Sequence, residues 1–247
     1  MAEIMMRNLT KRWRSVDASF ELSIPAFRLS AGEVVAVMGD NGTGKSTLLE
    51  LLGLAAAPEL ESAESAFSID PGDGRAVDAL RLWRRRRAGR LSRLRARMFG
   101  YILQTPHLFP FLSIRANAEL AQTIAGRRDA ALIDRLIGDF GLKRHADLRS
   151  AELSIGLRQR AAIVRALATR PRFVLADEPT SALDEASAAS AYEILLSLAR
   201  DSETGVLLVS HDRKRVDAFK LRRVMTRIVE RTEDQRLKAV LRQEAEP

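Results

Sequence analysis

Residues 39 to 47, Gly39-Asp40-Asn41-Gly42-Thr43-Gly44-Lys45-Ser46-Thr47, could do chemistry on a phosphorylated ligand. Their glycines let backbone amides curl around an anion without side chains in the way, and the helical pattern KSTLLELLGLAAAP that follows turns its positive N-terminal end toward the same anion. The spacing G-x-x-x-x-G-K-[ST] then puts Lys45 within reach of β- and γ-phosphates and makes Ser46 a ligand for Mg²⁺. FVLADEP, residues 173 to 179, ends a buried-type strand on two adjacent acids. Asp177 suits Mg²⁺ held through a water, and Glu178 suits the orientation or deprotonation of an attacking water. Alone, an acid pair at a strand end says little. Downstream of a phosphate loop it completes a hydrolytic site.

These residues need a scaffold that brings distant strand ends together. The run GEVVAVMG reads as a buried strand leading directly into the glycine loop and its helix. RFVLADEP and GVLLVSHD are two more such strands, each closing on acids, proline or histidine. Alternating strands and helices predict an α/β fold with a mainly parallel sheet and its ligand at the strands' carboxyl ends. Residues 1 to 30 read as short strands and turns, with Pro25 predicting an edge position for the second run. Residues 112 to 170 are mostly helical in pattern, with interruptions near Gly126 and Gly141.

Composition bounds the function classes. No apolar run approaches the ~18 to 20 residues that cross a bilayer, and MAEIMMRNLTKRW lacks the apolar core of a secretory signal, which predicts a single unit that stays where it is made. Without cysteine there is no disulfide framework or thiolate metal site, and His107, His145 and His211 are too scattered for a metal cluster. The net charge of +8 is local: residues 81 to 97, RLWRRRRAGRLSRLRAR, hold nine arginines and no acid. Leu82, Trp83, Leu91, Leu94 and Met98 form an apolar stripe compatible with an amphipathic helix there. Its charged side could be a solvated face, a contact for anionic lipid or a membrane partner, or a nucleic-acid patch.

From about residue 4 to residue 230 the chain resembles the ATP-binding-cassette (ABC) ATPases. The glycine loop, Gln104 after FGYIL, LSIGLRQR from 153, FVLADE from 173, SALD from 181 and LLVSHD ending near His211 occur in that family's order. The resemblance implies a P-loop NTPase (RecA-like) core, an N-terminal antiparallel β subdomain, and an inserted α-helical subdomain at about 105 to 170. Residues 231 to 247 would form a C-terminal hairpin or tail. It also implies that Gln104 senses Mg²⁺ and the attacking water, that His211 contacts the γ-phosphate, and that Asp184 lies at a subunit contact. Trp13, 26 positions before Gly39, stands where the family stacks an aromatic on adenine.

In the family LSIGLRQR is usually L-S-G-G-Q, which closes over ATP held by a second subunit in a head-to-tail homodimer. Ser154 and Gly156 are kept, while Ile155 replaces the first glycine and Leu157 the glutamine. If the glycine position needs positive φ or very close approach to phosphate, Ile155 is costly; if its backbone is helical and its side chain points away, it is tolerated. With Ser154, Gly156, Glu178 and His211 present, a working ATPase is expected.

RARMFGYILQTPHLFPFLSIRANAEL and LADEPTSALD are similar to the lipoprotein-release and macrolide-export type. That likeness implies ATP and Mg²⁺, a separate membrane permease, extracytoplasmic work, and a peripheral place on the cytoplasmic side of the inner membrane. The apolar loop His107-Leu108-Phe109-Pro110-Phe111 falls where the family receives the permease. Two alternatives are a cell-division ATPase acting on cell-wall hydrolases and a non-transport ATPase acting on nucleic acid through residues 81 to 97; nucleic acid is not the expected partner. A nucleotide-binding structural subunit with negligible turnover is a third.

Overall fold

The computed structural model describes residues 1–15, 18–60, 64–181, 183–232 and 236–243. Ala182 of the SALD stretch lies outside the described residues, as do 233–235 and 244–247 of the expected C-terminal segment. The strands are β1 (Glu3–Arg14), β2 (Ser19–Ser30), β3 (Val34–Met38), β4 (Ala66–Asp70), β5 (Val77–Asp78), β6 (Phe99–Ile102), β7 (Phe173–Asp177), β8 (Gly205–Val209), β9 (Arg222–Arg231) and β10 (Arg236–Gln243). They form one sheet in the order β5-β4-β1-β2-β10-β9-β3-β8-β7-β6. The half from β9 to β6 is parallel, and the pairs among β1, β2, β4 and β5 are antiparallel.

The helices are α1 (Lys45–Leu52), α2 (Ala79–Arg84), α3 (Ala88–Met98), α4 (Ile114–Ala125), α5 (Ala130–Asp139), α6 (Ile155–Leu167), α7 (Glu185–Ser202) and α8 (Arg213–Ala218). Central strands are buried on both faces, so their residues alternate between two cores. Val35, Val37, Leu175, Leu207 and Val209 pack with Leu48, Leu51 and Leu52 of α1. Ala36, Met38, Val174, Ala176, Val206 and Leu208 pack on the other face with α4 to α7. This two-sided burial explains the unbroken apolar runs VVAVM, FVLA and GVLLV. Helix ends follow the sequence: Ser113, Ser154 and Asp184 each accept a hydrogen bond from the backbone two residues inside the first turn of α4, α6 and α7.

Three expectations change. Residues 1 to 30 hold two strands of 12 residues each, β1 and β2, rather than short strands and turns. Strand β2 is interior, between β1 and β10, rather than at an edge. Pro25 is accommodated because pairing with β10 ends at Ser23 and the ladder to β1 steps from Leu9–Ile24 to Arg7–Ala26, past the missing N–H. The arginine run is two helices, α2 and α3, rather than one, because the chain turns at Arg85 to Arg87 with Arg86 at φ 49°. The hairpin β9–β10 is built into the sheet, with β9 against β3 and β10 against β2.

Candidate functional site

The glycine loop leaves β3 and enters α1 through three left-handed positions, Gly39 (φ 145°), Gly42 (φ 76°) and Gly44 (φ 94°). A Cβ on Gly39 would stand 2.4 Å from the Thr226 carbonyl oxygen, and one on Gly44 would stand 2.7 Å from the Phe20 ring. Glycine is therefore required at both by conformation and by space. Underneath, Thr43 Oγ1 lies 2.6 Å from Thr226 Oγ1 of β9, and Thr43 donates to the Asp40 carbonyl at 2.8 Å. Lys45 Nζ bridges the loop, donating to the carbonyls of Gly39 (2.8 Å) and Asp40 (2.7 Å). Burial pushes the Lys45 pKa down, and the carboxylates of Glu178, Asp177 and Asp40 oppose that fall. Asn41, Gly42, Gly44, Ser46 and Thr47 line the same open cleft as Gln104, Asp177 and Glu178.

Three neighbouring parallel strands deliver the rest. The order β8-β7-β6 puts the residues following each strand side by side at one edge of the sheet. Just past β7, Glu178 takes φ 46° and its N–H bonds to the Val209 carbonyl at 3.1 Å. Its carboxylate is held from both sides: His211 Nε2, past β8, lies 3.0 Å from Oε1, and Gln104 Nε2, past β6, donates to Oε2 at 3.4 Å. Asp177 Oδ2 accepts from Ser46 Oγ at 3.1 Å, which ties the strand end to the glycine loop. A left-handed glutamate is uncommon and sits where strain is often stored at functional sites. Here it turns the carboxylate back between its two partners.

Ser154 and Gly156 occupy the start of α6. Ser154 Oγ accepts from Leu157 N at 3.3 Å. Ile155 is the first residue of this helix, is 58% exposed, and has no left-handed backbone. The backbone half of the condition is therefore met: position 155 is helical, its side chain is exposed at the start of α6, and the first N–H groups of the helix have no intrahelical acceptor. Asp184 caps α7, accepting from Ser187 N and Ser187 Oγ, and these bonds push its carboxyl pKa down.

Trp13 lies across from Phe20 in the β1–β2 ladder, and both line a hollow with Arg14, Arg231 and Leu237. Trp13 is 46% exposed, with Lys11 Nζ 4.5 Å from its ring centroid. Phe20 also lines the phosphate cleft, so it stands at the border of the two spaces.

Four positioning residues had no sequence signal: Phe20, Thr226, Gln159 and Asn117. Gln159 of α6 is fully buried and donates to the carbonyls of Leu103 (3.3 Å) and Pro179 (3.0 Å), joining this helix to the chain beside Gln104 and Glu178. Asn117 of α4 bonds to both backbone groups of Phe109 and to the carbonyls of Leu112 and Ser113, fixing the Phe109–Phe111 loop. Contact partners reveal these roles: they are distant in sequence for Phe20, Thr226 and Gln159, and lie within eight residues for Asn117.

A phosphate loop opposed by an acid pair at the carboxyl ends of parallel strands makes this a P-loop nucleotide hydrolase. Residues 22–181 match the ABC transporter family. The lipoprotein-releasing system ATP-binding protein LolD of Gluconobacter oxydans is 37% identical over 213 residues, covering 85% of this chain and 87% of that one. The macrolide export ATP-binding/permease protein MacB of Marinobacter nauticus is 35% identical over 218 residues, covering 85% of this chain and 31% of that larger one. The dimeric post-hydrolysis structure of the ATP-binding cassette MJ0796, bound to ADP and Pi, is 27% identical with a TM-score of 0.78, over 95% of this chain and 96% of that one. The chain belongs to the ABC transporter family, as an ATP-binding and ATP-hydrolysing subunit resembling the lipoprotein-release and macrolide-export type.

Proposed function

We propose that two copies of this chain sandwich two ATP molecules head to tail, and that closure around ATP drives a separate membrane permease in lipoprotein-release or macrolide-export-like work. The carrying observation is the Glu178 carboxylate, held between His211 and Gln104 opposite the glycine loop. In this reading Lys45 leaves the Gly39 and Asp40 carbonyls for the β- and γ-phosphates, and the amides of residues 39 to 47 wrap the phosphate chain. Trp13, with Phe20 beside it, stacks on adenine. Glu178 accepts the proton of the water whose oxygen attacks the γ-phosphorus, and ADP and phosphate leave. His211 reaches the γ-phosphate, while Gln104 orients the water.

The donors fit Mg²⁺, a hard cation that takes oxygen ligands and keeps several waters. Ser46 Oγ and Asp177 Oδ2 are adjacent oxygens at the cleft, with Gln104 across it. Among the described residues no group of three His, Cys, Asp or Glu could hold a metal by itself, which suits an ion shared with phosphates. When bound, Mg²⁺ would neutralise charge on the β- and γ-phosphates. Ser46 and Gln104 would hold it directly, and Asp177 through a water.

Ser154, the amides at the start of α6, Gly156 and Asp184 meet the nucleotide or the second copy across the dimer. Among the described residues no helix is long and apolar enough to cross a membrane. We place the chain peripherally, on the cytoplasmic side of the inner membrane, where the exposed Phe109 and Phe111 receive the permease.

A complementation experiment tests the composite site. Ser154→Arg and Lys45→Ala are each expected to be inactive, because one blocks the signature face and the other the phosphate loop. A mixture forms heterodimers with one intact site, so ATPase activity returns. Activity of Ser154→Arg alone, or a mixture no better than its parts, would oppose a head-to-tail site.

A further inference from the structure

The outer face of α2 and α3 carries charge that ATP hydrolysis does not use. Eight of the nine arginines between 81 and 97 are exposed, and no acid interrupts residues 79 to 98. The ninth, Arg95, turns inward and donates to the Leu54 carbonyl at 2.6 Å. Among the described residues, no carboxylate pairs with the guanidinium of Arg85, Arg87, Arg90 or Arg93. Such a density of like charge is self-repelling, and it is relieved by an extended anionic surface.

The apolar side of the same helices is already occupied. Leu91 and Met98 are buried, and Leu82, Trp83 and Leu94 pack against the core that includes α1. No apolar stripe is left to insert into a bilayer, so any contact made by this face is electrostatic and peripheral. The occupied stripe also bears on the identity of the anion. Single-stranded nucleic acid is held by exposed aromatics that stack on bases, and the one aromatic here, Trp83, is turned inward.

On the proposed reading that the Phe109–Phe111 loop receives a membrane permease, position supports a membrane. Helix α3 packs on α4, and α4 fixes the exposed Phe109–Phe111 loop through Asn117. The charged face and the apolar loop are thus linked through one helix. We infer that the arginine face of α2 and α3 binds the anionic headgroups of membrane phospholipids directly. Each arginine near such a surface strengthens attraction, and the effect fades within a Debye length. This goes beyond permease binding, because lipid alone should suffice.

The test is flotation of the purified chain with vesicles of phosphatidylcholine alone, or of phosphatidylcholine mixed with phosphatidylglycerol. The wild type is expected to float with the anionic vesicles only, and to be released by high salt. A variant carrying Arg85→Gln, Arg87→Gln, Arg90→Gln and Arg93→Gln should bind them roughly a thousandfold more weakly, with ATPase activity in solution unchanged as evidence of folding. Equal flotation of wild type and variant would overturn the inference, as would no flotation of the wild type. Binding to duplex or single-stranded DNA lost in the variant, without vesicle binding, would assign the face to nucleic acid instead. None of these outcomes depends on a permease, so the transport reading stands or falls separately.

Discussion

Glu178→Gln is expected to lower ATP turnover by roughly 10²- to 10⁴-fold while ATP still binds. The substitution keeps the side chain's size and its capacity to meet Gln104 and His211, which lie 3.4 and 3.0 Å from the two carboxylate oxygens. It removes the ability to take a proton from water. The left-handed backbone at 178 and the bond from its N–H to Val209 remain, so the fold and the phosphate loop are undisturbed. Because closure precedes hydrolysis, the variant should accumulate as an ATP-bound dimer, seen by sedimentation as a doubling of the 27.4 kDa mass. Turnover within a few-fold of wild type would remove Glu178 from the chemical step.

Lys45→Ala should act earlier, at binding. Its ammonium is nearly enclosed and is held by two carbonyls of the loop it must clamp around phosphate. Losing a charge-assisted hydrogen bond of about 1.5–3 kcal/mol weakens ATP binding about ten- to a hundredfold, and turnover falls with it. Equilibrium titration with a fluorescent ATP analogue reads the affinity directly. Unchanged affinity would mean that the backbone amides alone hold the phosphates.

Legibility in the sequence followed the range of the interactions. Glycines 39 and 44, Lys45, Ser46, Asp177 and Glu178 announce themselves because a phosphate loop and a strand end are local structures with local rules. The apolar runs of β3, β7 and β8 were equally plain, since strands covered on both faces need no polar residue. Pro25 misled because its edge preference concerns one missing N–H, and the ladder simply steps past it. The arginine run looked like one helix because its apolar stripe continues across the Arg85–Arg87 turn, which composition does not mark. Phe20 against Gly44 and Thr226 beneath Thr43 depend on pairings of strands far apart in the chain. Gln159 is similar, since its amide matters only because α6 lies beneath the ends of β6 and β7. For Ile155, sequence posed the alternatives, and the helical first turn of α6 meets the backbone condition.

The most direct test is a pull-down of the tagged chain from detergent-solubilised native membranes, with ATPase activity measured on the eluate and on a Lys45→Ala control. The expected result is a stoichiometric membrane protein in the eluate and turnover that disappears with Lys45. An eluate with no membrane partner, or turnover that survives Lys45→Ala, would contradict it.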